Sequence, residues 1–151
     1  MKTISIVVAL LGIAAIVIGA VFVGLGMSRN NELVQAMRQE KVALGIEQSD
    51  AQAGQVIDSL GEALKAGDTI REHRRSIAPS YSDLLAGGQY DPTNPRQLTY
   101  SQAMNLENYL YLAVVAFGLT QAVMGSGAFM VLTGLALVGT GVVLYRVTQK
   151  L

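Results

Sequence analysis

Charge is confined to the middle of this chain. Residues 3–27 contain no Asp, Glu, Lys, Arg or His, residues 108–145 contain none either, and all eleven acidic residues lie between Glu32 and Glu107. A soluble fold alternates polar and apolar faces along each element, which scatters charge through the sequence and gives no reason to clear both ends of it. A bilayer does, because one charge at its centre costs about 2.5–3.5 kcal/mol even on the most lenient scale. Only 15% of the side chains are charged, against roughly 25% in an ordinary soluble domain, and the deficit falls entirely on these two stretches.

The first stretch, 3–27, reaches about 36 Å as a helix, enough to cross a hydrocarbon core of about 30 Å. A secretory signal peptide has an apolar region of only about 7–15 residues ending in a small-x-small site. This run is longer and passes directly into Ser28-Arg29-Asn30-Asn31, so an uncleaved anchor is expected. Ala15-x-x-x-Gly19 and Ala20-x-x-x-Gly24 place small residues one turn apart, the spacing that lets helix backbones approach closely.

The second stretch is uncharged from Tyr109 to Tyr145, longer than one bilayer crossing needs. It reads either as one span near 127–145 preceded by an apolar helix over 103–124, or as two short spans turning at Gly125-Ser126-Gly127. Lys2 precedes the first stretch, and Arg146 and Lys150 follow the second, with no acid beside them. The excess of Lys and Arg at both ends places both termini in the cytoplasm, which requires an even number of crossings. Two spans are expected, the second stretch being either one long helix through Gly125 or a helix broken there. Tyr109, Tyr111 and Tyr145 suit interfacial levels. Gly134, Gly139 and Gly141, with Thr133 and Thr140, form a second small-residue surface able to receive the first span, and Gln121 is a candidate for an interhelical hydrogen bond.

The middle segment, 28–107, holds eight of the eleven Lys and Arg against all eleven acids, a net of −3, and its pattern is helical. Leu33, Met37, Val42 and Ile46 recur at loose helical intervals, and Val56, Ile57, Leu60 and Leu64 do so more clearly. Gly67-Asp68 reads as a break, after which Thr69-x-x-Glu72 resembles a capping box opening a short helix with Ile70, His73, Arg74 and Ile77 on one face. Pro79 punctuates again. A loop is expected over 86–98, rich in Gly, Pro, Asp and Asn, and Thr99-x-x-Gln102 is a second capping-box match launching the helix toward the membrane.

Candidate chemistry is sparse. Arg71, Arg74 and Arg75 fall at i, i+3 and i+4 and form a candidate docking patch for acidic side chains or anionic headgroups; a solvated face balanced by Asp68 and Glu72 is the alternative. His73 is the single histidine and cysteine is absent. That excludes disulfides, thiolate catalysis and Cys-based metal sites, and one imidazole makes neither a zinc site nor a bis-histidine haem site. The glycine-rich stretches lack the Lys-Ser/Thr of a phosphate loop. Spans without charge argue against proton relays and ion pathways, and no basic field points to nucleic acid.

The sequence therefore predicts an all-α, multi-pass protein of the cell membrane. Its parts are an anchor over 1–27, an extracytoplasmic helical hairpin or small bundle over 28–107, a long apolar helix or broken helix over 108–146 containing the second span, and a cytoplasmic tail over 147–151. The expected role is that of a non-catalytic accessory or structural subunit of a larger membrane complex, without a cofactor or metal. Other membrane subunits and lipids are its expected partners, with packing through Ala15, Gly19, Ala20, Gly24, Gln121, Gly134, Gly139 and Gly141. The alternative is a self-associating scaffold or pore.

Overall fold

A computed structural model describes residues 2–39 and 56–150, among which the chain forms four helices: α1 (Lys2–Gln39), α2 (Leu60–Ile77), α3 (Tyr81–Leu85) and α4 (Pro95–Lys150). Two of the four, α1 and α4, are long and apolar enough to cross a membrane. Helix α4 passes through Gly125, Ser126 and Gly127 without interruption, which removes the reading with a turn there. Contacts divide the chain into two compact units, one formed by Met1–Asn31 with Leu119–Leu151 and the other by Glu32–Gly118.

In the first unit two antiparallel helices meet through glycine. The buried residues of α1 are Ser5, Gly12, Gly19 and Gly26, spaced by seven, and those of α4 in this unit are Thr120, Gly127, Gly134 and Gly141, also spaced by seven. Seven residues are close to two helical turns, so each series stays on one face. A methyl group placed on Gly12 would lie 2.6 Å from the Gly134 carbonyl oxygen, and one on Gly19 would lie 2.6 Å from that of Gly127. The same distances hold in reverse from Gly134 to Gly12 and from Gly127 to Gly19. Any side chain at these positions would force the backbones apart. The hydrogen in its place faces a carbonyl across the seam, the arrangement of a Cα–H···O contact. At one end Gly141 abuts Ala9 and Ser5; at the other Gly26 abuts Met124 and Thr120, and the Thr120 hydroxyl donates to Asn30 Oδ1 at 3.4 Å.

The second unit is assembled from larger side chains. Ile57, Ala63, Ala66 and Ile70 form one buried cluster with Leu110, Ala113 and Phe117 of α4, and Leu33, Val34 and Met37 from the end of α1 pack against it. Val42 and Ile46, expected to extend the α1 face, lie outside the described residues. A smaller cluster joins Ala78, Leu84 and Tyr100.

Local signals explain the helix boundaries, and several differ from the sequence reading. Helix α2 starts at Ser59-x-x-Glu62: the Ser59 hydroxyl accepts from the Glu62 N–H, and the Glu62 carboxylate accepts from the Asp58 N–H at 2.9 Å. It then continues through Gly67-Asp68, so the expected break is absent. Gly67 supplies room instead, since a methyl there would meet the Tyr111 ring at 3.3 Å. Thr69 caps nothing; its hydroxyl donates back to the Lys65 carbonyl in mid-helix. Helix α4 begins at Pro95, four residues before Thr99, so the loop expected over 86–98 ends sooner. Asn94 accepts from the Arg96 and Gln97 N–H groups, and Pro95 occupies the first helical position, where its missing N–H costs nothing. Between α3 and α4 the chain turns at Ala86 and Gly87, both at positive φ, 47° and 81°.

Candidate functional site

The charged side chains of greatest consequence lie in the second unit, where α2 and α4 carry opposite charges to one place. Glu107 is the last charge on α4 before the uncharged run. Its carboxylate accepts from Arg71 Nε at 3.2 Å and from Arg74 Nε at 2.6 Å. The two guanidinium groups present themselves together because they stand one turn apart on α2. Arg74 also donates to the Tyr100 hydroxyl and lies 5.0 Å from that ring's centroid. Arg71 pairs with Asp68 at 3.3 Å and stacks 4.5 Å over Tyr111, whose hydroxyl donates to Asp68 at 2.6 Å. Arg96 closes the end of α2 by donating twice to the Ile77 carbonyl, at 3.2 and 2.6 Å.

Burial alone would push the Glu107 carboxyl up. The hydrogen bonds and charges of Arg74 and Arg71 together outweigh it and hold the group below the usual range. Arg74 is held in its charged form, first by its hydrogen bond to Glu107. With the Arg74 and Glu107 side chains only 13% and 10% exposed, this is a satisfied, partly buried ion pair that ties α2 to α4. It offers neither a nucleophile nor an acid–base couple open to a substrate.

Of the three arginines read as a docking patch, Arg71 and Arg74 are thus turned toward Glu107, and Arg75 is exposed beside the exposed His73. The small residues also divide. Gly19, Gly134 and Gly141 stand in the seam of the first unit and Ala15 is half-buried at its side. Ala20, Gly24, Gln121 and Gly139 are exposed, and methyl groups on Gly24 or Gly139 would meet nothing within 4 Å. The seam partners Gly12, Gly26 and Gly127 were missed because small residues were sought at a spacing of four; the signal was the spacing of seven. Glu107 was missed as the partner of Arg74 because the two are 33 residues apart, yet its position as an isolated charge at the edge of the apolar run marked it.

Two grooves lie on the surface of the described residues. One, of about 690 Å³ in the second unit, is wholly apolar apart from the Tyr109 hydroxyl, with Leu33, Met37, Leu106, Leu112 and Ala116 among its walls. The other, of about 460 Å³ in the first unit, runs between Ser5, Ile6 and Ala9 of α1 and Gly141, Val142 and Arg146 of α4. Among the described residues no three His, Asp or Glu side chains converge as metal ligands. No protein family matches this chain, and no curated protein or solved structure is similar enough to count as a match.

Proposed function

We propose that this is an integral membrane protein of two spans, 3–27 and 119–145, acting as a non-catalytic accessory subunit of a larger membrane assembly. The supporting observation is the inverted surface of the first unit. Its seam glycines face inward, while Ile4, Leu10, Leu11, Val17, Phe129 and Leu132 face out, the last two 69% and 67% exposed. Only 11% of the most apolar window of α1 and 17% of that of α4 are buried. The core helix of a soluble protein buries its apolar face; a pair that shows one all round is matched to lipid.

In this reading Lys2, Arg146 and Lys150 mark the cytoplasmic side and the second unit, with its acids, is extracytoplasmic. The apolar groove of the second unit and the exposed Ala20, Gly24 and Gly139 are then surfaces for neighbouring helices of other subunits. The same exposed small residues favour self-association as the second reading. Extraction from membranes in mild detergent tests both. Co-migration with other polypeptides is expected, whereas a homogeneous multiple of the 16.0 kDa chain favours the self-associating scaffold. A lone monomer would rule out both, and release into the aqueous phase without detergent would rule out the membrane reading itself.

A further inference from the structure

We propose that the groove at the amino end of α1 and the carboxyl end of α4 holds one anionic phospholipid, its phosphate on Arg146 and an acyl chain along the Ala9–Gly141 floor. This rests on the membrane reading above. The argument begins with charge. The unit formed by Met1–Asn31 and Leu119–Leu151 contains Lys2, Arg29, Arg146 and Lys150 and no acidic residue. Three of these four cations belong to the end where the groove opens. The helices are antiparallel, so at this end the positive pole of α1 offsets the negative pole of α4 and side chains alone set the sign.

Shape follows from the same small residues that join the helices. Ser5, Ala9 and Gly141 bring the backbones together but are too small to fill the surface above them. Ile6 and Val142 stand to either side as walls, leaving an apolar trough of about 460 Å³. Arg146 lines it one helical turn beyond Val142, and Lys2 lies one turn before Ile6. Tyr145, also in the lining, has the amphipathic character suited to headgroup level. An apolar trough ending in a guanidinium, in a unit with no Asp or Glu side chain, fits a ligand that is a hydrocarbon chain with a phosphate at its end.

Native mass spectrometry of the detergent-solubilised full chain tests this, using phosphatidylglycerol and phosphatidylcholine of identical acyl chains. The first phosphatidylglycerol should bind roughly ten-fold more tightly than the first phosphatidylcholine, and Arg146→Gln should reduce that preference roughly five-fold. Val142→Trp, on an exposed face, should lower the occupancy of both lipids. Equal binding of the two lipids, or an unaltered preference in Arg146→Gln, overturns the proposal. Displacement of phosphatidylglycerol by millimolar inorganic phosphate assigns the site to a free anion and also overturns it. So does a particle of twice the chain mass that Val142→Trp converts to monomer, because the groove then belongs to a second copy. Detergent partitioning measured before any lipid is added separates these failures from failure of the membrane reading.

Discussion

The two units of this chain use opposite packing rules. In the first, the interior is glycine backbone and the large apolar side chains face outward. In the second, Ile57, Ile70, Leu110 and Phe117 are inside, while the charges are paired at or near the surface. Where water surrounds an element, removing apolar area from it favours folding by about 25 cal/mol per Å², and large side chains go inward. Where lipid surrounds it, exchanging one hydrocarbon contact for another gains little. Association then depends on close fit, which small residues permit. The contrast is what the proposed membrane reading requires, lipid around the first unit and water around the second.

The comparison can be broken most forcefully at the seam. Gly19→Leu should cost about 3 kcal/mol, at the upper end for overpacking, because the facing group is the Gly127 backbone and cannot rotate away. Gly24→Leu, one and a half turns on, should change stability by less than about 0.5 kcal/mol. Equilibrium unfolding of the full chain in mixed micelles, each variant against the parent, measures both changes. Equal behaviour of the two leucine variants would falsify the seam.

In the second unit the corresponding lesion is Glu107→Gln, which leaves Arg74 and Arg71 sharing a neutral partner in a partly buried site. A loss of about 2–3 kcal/mol in chemical denaturation is expected. Acid should produce a graded version of the same loss. Because Glu107 has a lowered pKa in the folded chain, its contribution is complete above the ordinary value of 4.5 and disappears as pH falls through the folded value. The acid limb should be shallower in Glu107→Gln than in the parent. Ser59→Ala removes the cap of α2 and should cost about 1 kcal/mol. Arg38→Ala, which breaks an exposed 3.5 Å pair with Asp58, should cost less than about 0.5 kcal/mol.

How much was legible in the sequence depended on how local each signal is. The two long apolar helices follow from charge segregation, a property of composition along the chain. Helix boundaries were legible where one residue type decides them, as at Pro79 and the Gly-Gly loop. They were misread where two equivalent motifs competed: Thr69-x-x-Glu72 has the form of a capping box, as does Ser59-x-x-Glu62, and only packing against Leu110 and Ala113 decides that the helix continues past Gly67. The ion pair of Arg74 with Glu107 is long-range and has no local signature. The glycine seam was present in the sequence as two seven-residue series, but a series declares a face and not what that face meets.

Repetition at that seam has one more effect. Sliding α1 along α4 by one period, about 10 Å, would bring Gly12 to Gly141, Gly19 to Gly134 and Gly26 to Gly127, glycine on glycine at every step. The joint is thus a ruler whose graduations are identical, and it cannot by itself tell one alignment from the next. Alignment must come from elements that do not repeat. The Thr120 hydroxyl donates to Asn30 Oδ1, and seven residues along α4 the same place is taken by Gly127, which has no hydroxyl to give. Losing that contact should therefore show first as a misindexed helix pair and only later as a separated one.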